Sequence, residues 1–308
     1  MDKSLRIGKH KIDTRIFVAP MSGVTDLPFR KILRDLGAGA IVSEMVASEE
    51  LSKGNMESMQ RASGAGEIKP LIVQLAGREA KWMAEGARMA VKGGADIVDI
   101  NMGCPARKVT KGMSGSALMR DPDHALDLIK ATVDAVDVPV TLKTRLGWDE
   151  NMLNAPEIAA RAEEAGVQAF VIHGRTRCQF YKGQADWSAV RLTRDAVTKP
   201  LLVNGDILTP EDGAQAIKLS GADGIMIGRG LVGAPWLIGA FQTAMGERAI
   251  EALTLEQQGK IVERHYGYAL DFHGEKLAVR MMRKHLAAYI DCAPIAMSEA
   301  ARIKARNR

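Results

Sequence analysis

The sequence predicts an α/β chain: a (β/α)8 TIM barrel over residues 1–246, followed by a small all-helical domain over residues 254–308. Three observations lead there. Eight short apolar runs alternate with amphipathic stretches of helical length, the pattern of a parallel sheet with crossover helices. The residues that introduce the runs alternate in kind. After Gly246 the strand signal disappears.

The runs cover residues 16–19, 40–42, 71–75, 97–100, 140–142, 169–172, 201–203 and 224–227, with helical stretches such as 80–92, 122–136, 155–165 and 210–219 between them. Pro70, Pro139 and Pro200 introduce the third, fifth and seventh runs, where a proline can open a strand without breaking a ladder. The even-numbered runs follow Gly37-Ala38, Gly94-Ala95-Asp96, Gly166-Val167 and Gly221-Ala222-Asp223, glycines placed where a preceding helix ends. The unit is two strands and two helices, about 60 residues used four times, and eight parallel strands in roughly 245 residues match a closed barrel. An open doubly wound sheet is the alternative, but the GxGxxG turn usual after its first strand is lacking. From Thr254 onward, Leu277, Met281, Met282, Leu286 and Tyr289 recur at helical spacing as the core of the small domain.

With 308 residues, 46% apolar and 26% charged, the composition is that of an ordinary soluble protein. No stretch approaches the ~18 apolar residues of a membrane span, and Met1-Asp2-Lys3 opens no apolar leader, so a cytoplasmic location without a membrane partner is expected. Cys104, Cys178 and Cys292 are far apart and odd in number, which suggests neither a disulfide framework nor a CxxC metal site; no metal is expected. The net charge of +5 is uneven: from Leu253 onward ten Lys and Arg stand against six Asp and Glu. A basic terminal segment suits a phosphate-rich partner, although a solvated helical face gives the same count. No oligomer is implied.

In a barrel the active site lies where strands run into the following loops. Those positions hold Ala19-Pro20-Met21, Glu44, Gln74, Asn101 with Cys104, Lys143 with Arg145, His173 with Arg175, Asn204-Gly205-Asp206 and Gly228-Arg229. One such residue is ordinarily just leaving the core for solvent; eight polar terminations on one rim point to a site. The loops after strands seven and eight commonly bind phosphate, and small residues there let backbone amides approach it while Arg229 adds a cation. A phosphorylated cofactor such as FMN fits this place. Lys143 and Gln74 fall on the opposite arc, where a cation and an amide suit the polar edge of an isoalloxazine ring. His173 suits the ring edge or the phosphate, or simply packs. Cys104 lies beyond its strand in Asn101-Met-Gly-Cys-Pro105 and begins a loop of about twenty residues, a length typical of lids and binding loops. A free thiol is mostly protonated at neutral pH and so can serve as a general acid.

Taken together and in order, the runs Ala19-Pro-Met-Ser-Gly-Val-Thr-Asp26, Gln74-Leu-Ala-Gly77, Asp99-Ile-Asn-Met-Gly-Cys-Pro105, Gly115-Ser-Ala-Leu-Met119, Lys143-Thr-Arg145, His173-Gly-Arg-Thr176, Ala185-Asp-Trp187, Asn204-Gly-Asp-Ile207 and Gly228-Arg229 closely resemble the tRNA-dihydrouridine synthases, especially the B-type bacterial subgroup. The similarity covers nearly the whole chain. It implies FMN held by Pro20, Met21, Ser22, Gln74, Lys143, His173, Asn204, Gly205, Asp206, Gly228 and Arg229, and Cys104 as the catalytic acid. The implied reaction reduces the flavin with NADPH, then passes hydride from reduced FMN to C6 of a uracil base in tRNA while Cys104 protonates C5, giving 5,6-dihydrouridine. The base must be flipped out of the folded RNA to reach the mouth. The C-terminal helices are implied to bind tRNA, with Lys276, Arg280, Arg283 and Lys284, and near the site Arg107, Lys108 and Lys111, as phosphate contacts. Asn101, Arg145 and Arg175 are taken as substrate-side residues of the rim, and the subgroup favours position 17 of the D-loop. Two departures stand out: Ser22 occupies a position commonly alanine, and the chain ends at Arg308, short of a further helix found in many relatives, so a smaller helical domain is expected.

Two other readings stay open at this point. An FMN barrel acting on a free pyrimidine or small enone, as dihydroorotate and dihydropyrimidine dehydrogenases do, has no evident use for a basic helical appendage. A regulatory or RNA-chaperone protein without chemistry has none for Cys104, Lys143 and Gly228-Arg229.

Overall fold

The computed structural model describes residues 4–293. A short antiparallel hairpin, β1 (Leu5–Ile7) and β2 (His10–Ile12), precedes eight parallel strands: β3 (Ile16–Val18), β4 (Ala40–Ala47), β5 (Leu71–Ala76), β6 (Ile97–Met102), β7 (Val140–Arg145), β8 (Ala169–His173), β9 (Leu201–Asn204) and β10 (Gly224–Ile227). Each strand pairs with the next, and β10 closes on β3. All eight expected runs are strands. They read as near-continuous apolar runs because both faces are covered, one by the barrel interior and the other by helices.

The helices follow from local chemistry. Pro210–Ser220 opens with a reciprocal capping box between Thr209 and Asp212 and ends on Gly221 in the left-handed region (φ 67°). Pro122–Val133 is capped by Asp121, whose side chain accepts the amide of His124. Ala80–Lys92 and Ala155–Glu164 fall where the pattern put them.

Three features differ from expectation. β4 runs past its apolar start to Ala47 through a register shift between Val42 and Met45, a bulge that carries Ser43 and Glu44. The hairpin was not anticipated, because three-residue strands carry too little alternation to register. It plugs the barrel from below: Leu5, Ile7 and Ile12 pack with Phe17, Ile72, Val171, Leu202 and Met226. The loop after Cys104 is partly helical, with a single turn at Arg107–Thr110 and a 3-10 segment at Gly115–Arg120.

Beyond the barrel lie two helices, Leu255–His273, started by a capping box between Thr254 and Gln257, and Glu275–Cys292. Ala269, Ala278 and Met282 form a small core with Tyr266, Leu270 and Leu286 around it. Leu277, expected in that core, is instead 44% exposed; the buried face of the last helix is Ala278, Met282, His285 and Tyr289, one residue round the helix. The pair docks on the barrel helix Leu27–Asp35, whose Phe29 ring lies 5.4 Å from His265 and 5.2 Å from His285. The stretch 294–308, on which the expectation of a smaller helical domain falls, lies outside the described residues.

Candidate active site

The register of three neighbouring strands places the first group of side chains. Gln74 on β5 pairs with Asp99 on β6, which pairs with Thr141 on β7, and Asn101 pairs with Lys143. With alternation along each strand, all five side chains enter the barrel mouth. Asp99 accepts from Thr141 Oγ1 at 2.6 Å and from Gln74 Nε2 at 2.7 Å. Gln74 Oε1 accepts from Asn101 Nδ2 at 2.7 Å, and Asn101 Oδ1 accepts the amides of Gly103 and Cys104 at 3.2 and 3.0 Å. From the other side Ser116 donates to the Cys104 carbonyl through its amide (3.1 Å) and its hydroxyl (2.8 Å). Cys104 is therefore held by both ends of its peptide, half-buried at the rim. Gln74 is fully buried, with both amide atoms engaged by Asp99 and Asn101.

Lys143 donates to Asn204 Oδ1 at 2.9 Å, and Asn204 Nδ2 donates to the carbonyl of Met226. No carboxylate lies in ion-pair contact with Lys143 among the described residues. Burial, then the charge of Arg145, brings its ammonium down to about 8, against the opposing pull of Asp99 and Cys104. His173 ends β8 and is held neutral, well below the usual imidazole range, by burial and by Lys143, Arg145, Arg175 and Arg229.

The loops after β8, β9 and β10 are tied by one carboxylate. Asp206, at φ 51°, bridges Arg175, which grips both its oxygens, and Arg229, 3.0 Å from Oδ1; it also accepts the amide of Ala185 at 2.9 Å. Its place in an anion site can thus come only from its backbone, since its side chain is an anion already paired. Gly205 (φ 113°) leaves no room for a side chain: a Cβ there would lie 2.8 Å from His173 Cδ2. Trp187 Nε1 donates to the Gly205 carbonyl at 2.7 Å, a support that the run Ala185-Asp-Trp187 does not disclose by itself. At Gly228 an added Cβ would meet Ala19 and Met21 Sδ at 3.4 Å, so the β3 loop with Pro20, Met21 and exposed Ser22 closes the ring beside β10.

Arg145 and Arg175 are both 1% exposed. Arg145 donates to the carbonyls of Gly103, Thr176 and Phe180, and Arg175 to those of Lys182 and Gly183 besides Asp206. These guanidiniums brace the rim loops from within. Arg107, Lys108 and Lys111 are exposed on the short turn after Cys104, and Lys276, Arg280, Arg283 and Lys284 on the last helix. Lys284 reaches the barrel: a Cβ at Gly23 would lie 3.4 Å from its Nζ, and Asp26 and Glu44 act on its charge. A cavity of about 410 Å3 at the other end of the barrel, bounded by Lys11, Thr14, Arg34 and Gln242, includes none of these residues.

The family model described as dihydrouridine synthase (Dus) matches residues 17–306. The chain is 55% identical over 280 residues to a probable tRNA-dihydrouridine synthase of Rhizobium leguminosarum bv. phaseoli, covering 91% of this chain and 86% of that one. It is 51% identical to the probable tRNA-dihydrouridine synthase of Rhodobacter capsulatus (92% and 88% covered), and 41% identical to tRNA-dihydrouridine synthase B of Pseudomonas syringae pv. tomato (94% and 87%). Among solved structures it is similar in fold to 2-naphthoyl-CoA reductase, at 15% identity and a TM-score of 0.61 over 80% of this chain and 52% of the other. Histamine dehydrogenase from Rhizobium sp. 4-9 is similar too, at 15% and 0.59 over 80% and 48%. With a barrel whose mouth carries the matched motifs, and with identities of this size over nearly its full length, the chain belongs to the dihydrouridine synthase family.

Proposed function

We propose that this chain is a tRNA-dihydrouridine synthase that uses FMN and NADPH to reduce the C5=C6 bond of a D-loop uridine, position 17 being the favoured target, in the cytoplasm. The observation that carries the reading is the placement of Cys104: clamped by Asn101 and Ser116 at the rim, close enough to Lys143 and Arg145 to act on their charges, and followed at once by the exposed basic turn.

The residues present fit a phosphorylated flavin. Gly205 has space for backbone only, Arg229 supplies an exposed cation beside it, and Lys143 is a buried cation bonded to a neutral amide, so its charge remains available to an anionic ring edge. Pro20, Met21, Ser22, Gly228, Arg229, Asn204, Gly205, the Asp206 backbone, His173, Lys143 and Gln74 would hold the group. Bound FMN, once reduced by NADPH, supplies the hydride for C6. The chain does the rest. Cys104 Sγ gives its proton to C5, Lys143 holds the negative charge that reduction creates, and the buried mouth keeps water away. Residues 1–246 then serve as the FMN-binding catalytic domain and 254–308 as the tRNA-binding domain. Arg107, Lys108, Lys111, Lys276, Arg280, Arg283 and Lys284 neutralise phosphates around a flipped base.

The test is to mix purified protein with NADPH and an unmodified tRNA transcript, with free uridine in parallel, and to quantify dihydrouridine by mass spectrometry. Product in the tRNA alone is expected. A flavoprotein that oxidises NADPH but converts only free uridine, or neither, would overturn the proposal.

A further inference from the structure

We propose that Asp99 is a positioning residue for this reaction, which through Gln74 and Asn101 holds the peptide of Cys104 at the barrel mouth. The inference rests on the reading of Cys104 as the proton donor and adds a buried residue that touches neither substrate nor flavin.

The argument is one of donor and acceptor polarity. A carboxylate only accepts; burial raises the Asp99 carboxyl above its usual range, and the bonds from Thr141 and Gln74 together with the charge of Lys143 oppose that shift and favour the carboxylate. Asp99 is 2% exposed, and with Thr141 Oγ1 on one oxygen its other oxygen compels Gln74 to present Nε2. That leaves Gln74 Oε1 facing Asn101, which must answer with Nδ2, so Asn101 Oδ1 is turned toward the amides of Gly103 and Cys104. Turning over either amide along this line would set donor against donor or oxygen against oxygen inside a buried site. Asp99 therefore dictates an orientation two side chains away, at the point where the strand ends and the acid's loop begins. The register sets the members in two successive layers: Asp99 is the cross-strand partner of both Gln74 and Thr141, and Asn101, two residues on along β6, lies in the next layer with Lys143. Lys143, the partner of Asn101 across β6 and β7, feels the charge of Asp99 as well, so the carboxylate could act in two ways. The variants below separate them.

Asp99→Leu removes the acceptor, whereas Asp99→Asn discards the charge and keeps an oxygen for Gln74, its new NH2 facing the Thr141 hydroxyl, which can turn to accept it. Two readouts are measured on the flavin-loaded protein. Amide hydrogen exchange at Gly103 and Cys104 needs no substrate. Rapid mixing separates reduction by NADPH, which does not use Cys104, from reoxidation by unmodified tRNA, which does. For Asp99→Leu, exchange at both amides at least tenfold faster and tRNA-driven reoxidation at least tenfold slower are expected, with reduction by NADPH within threefold of wild type. Asp99→Asn should stay within threefold throughout. Wild-type exchange in Asp99→Leu would overturn the relay, and so would an Asp99→Asn variant as impaired as Asp99→Leu, because the carboxylate would then act through Lys143. Should Asp99→Leu fail to fold, Asp99→Ser, smaller and able to donate as well as accept, decides: exchange at Cys104 several-fold faster supports the relay, and unchanged exchange overturns it. A wild-type protein inert toward tRNA would sink the proposed function, while the exchange readout would still rule on the relay.

Discussion

The ammonium of Lys143 lies 2.9 Å from Oδ1 of Asn204, a buried cation bonded to a neutral amide rather than to a carboxylate. Its acidity is set mainly by burial and stands at about 8, so the group is charged below that pH and neutral above it. Catalysis that depends on this charge is present at neutral pH and declines as pH rises through about 8. Flavin reduction by NADPH followed from neutral to alkaline pH should show that limb. Lys143→Met should remove it and weaken FMN binding at least tenfold, about 1.4 kcal/mol. A flat profile in the wild type would count against the assignment.

Cys104→Ala removes the proton donor and leaves the clamp from Asn101 and Ser116, which acts on the backbone. FMN content and reduction by NADPH should be retained, while dihydrouridine formation falls by about 10²-fold or more, the usual size of general acid catalysis. Loss of flavin from this variant would instead assign Cys104 to the fold.

Asp206 carries two arginines of different standing: Arg175 is buried, while the Arg229 side chain is 59% exposed. Asp206→Ala leaves the Arg175 guanidinium inside the protein without its anion, at a cost of about 2–4 kcal/mol. Arg229→Ala should cost under ~1 kcal/mol in stability yet weaken flavin binding. Thermal unfolding and flavin titration of the two variants give both quantities; equal losses of stability would contradict this division.

His265 and His285 pack edge to face, 4.7 Å between ring centroids, with Asp26 beside them, and the Nε2 of each is buried without a hydrogen-bond partner. Burial, with smaller contributions from neighbouring positive charge, lowers them to about 3 and about 4. Below the ordinary value near 6.5 the unfolded chain takes up protons that the docked helices refuse. Docking is therefore at full strength above about pH 6.5 and weakens as pH falls toward 4, by on the order of 2 kcal/mol per imidazole at pH 5. Trp236, stacked on Tyr289 at 5.9 Å, offers a fluorescence report of the seam. A signal and a stability that do not change between pH 7 and 5 would refute the coupling.

Lys276, Arg280 and Arg283 are exposed on the last helix. If they meet phosphates, replacing each with Gln should raise KM for tRNA and flatten the salt dependence of binding by about one unit of slope per lost contact, with flavin reduction unaltered. Unchanged salt dependence in the triple variant would make them a solvated face.

The alternation of buried runs and glycine or proline stops disclosed the barrel, because a parallel strand covered on both sides must be apolar along its length and a crossover helix must end before the next strand begins. The rim residues were legible for a related reason: Gln74, Lys143, His173 and Asn204 are polar where an apolar run stops, and closure of the barrel gathers such ends in one place. Leu277 was misplaced because a turn of 100° per residue lets adjacent apolar positions compete for the same face, and docking on Phe29 chose Ala278.

Which polar group meets which was beyond reach of the chain order alone. Asp206 and Arg175 are 31 residues apart, Lys143 and Asn204 are 61, and His273 and Asp26 are 247. Nothing local relates such pairs; they meet only because strand register and barrel closure bring their elements together. The same holds for Asp99, whose role in holding Cys104 exists only once β5, β6 and β7 lie side by side. Local patterns of burial and turn chemistry are written residue by residue, so the sequence specifies the fold and the chemistry available at its mouth. The pairing of those groups is a property of three-dimensional contact, and the tertiary structure alone decides it.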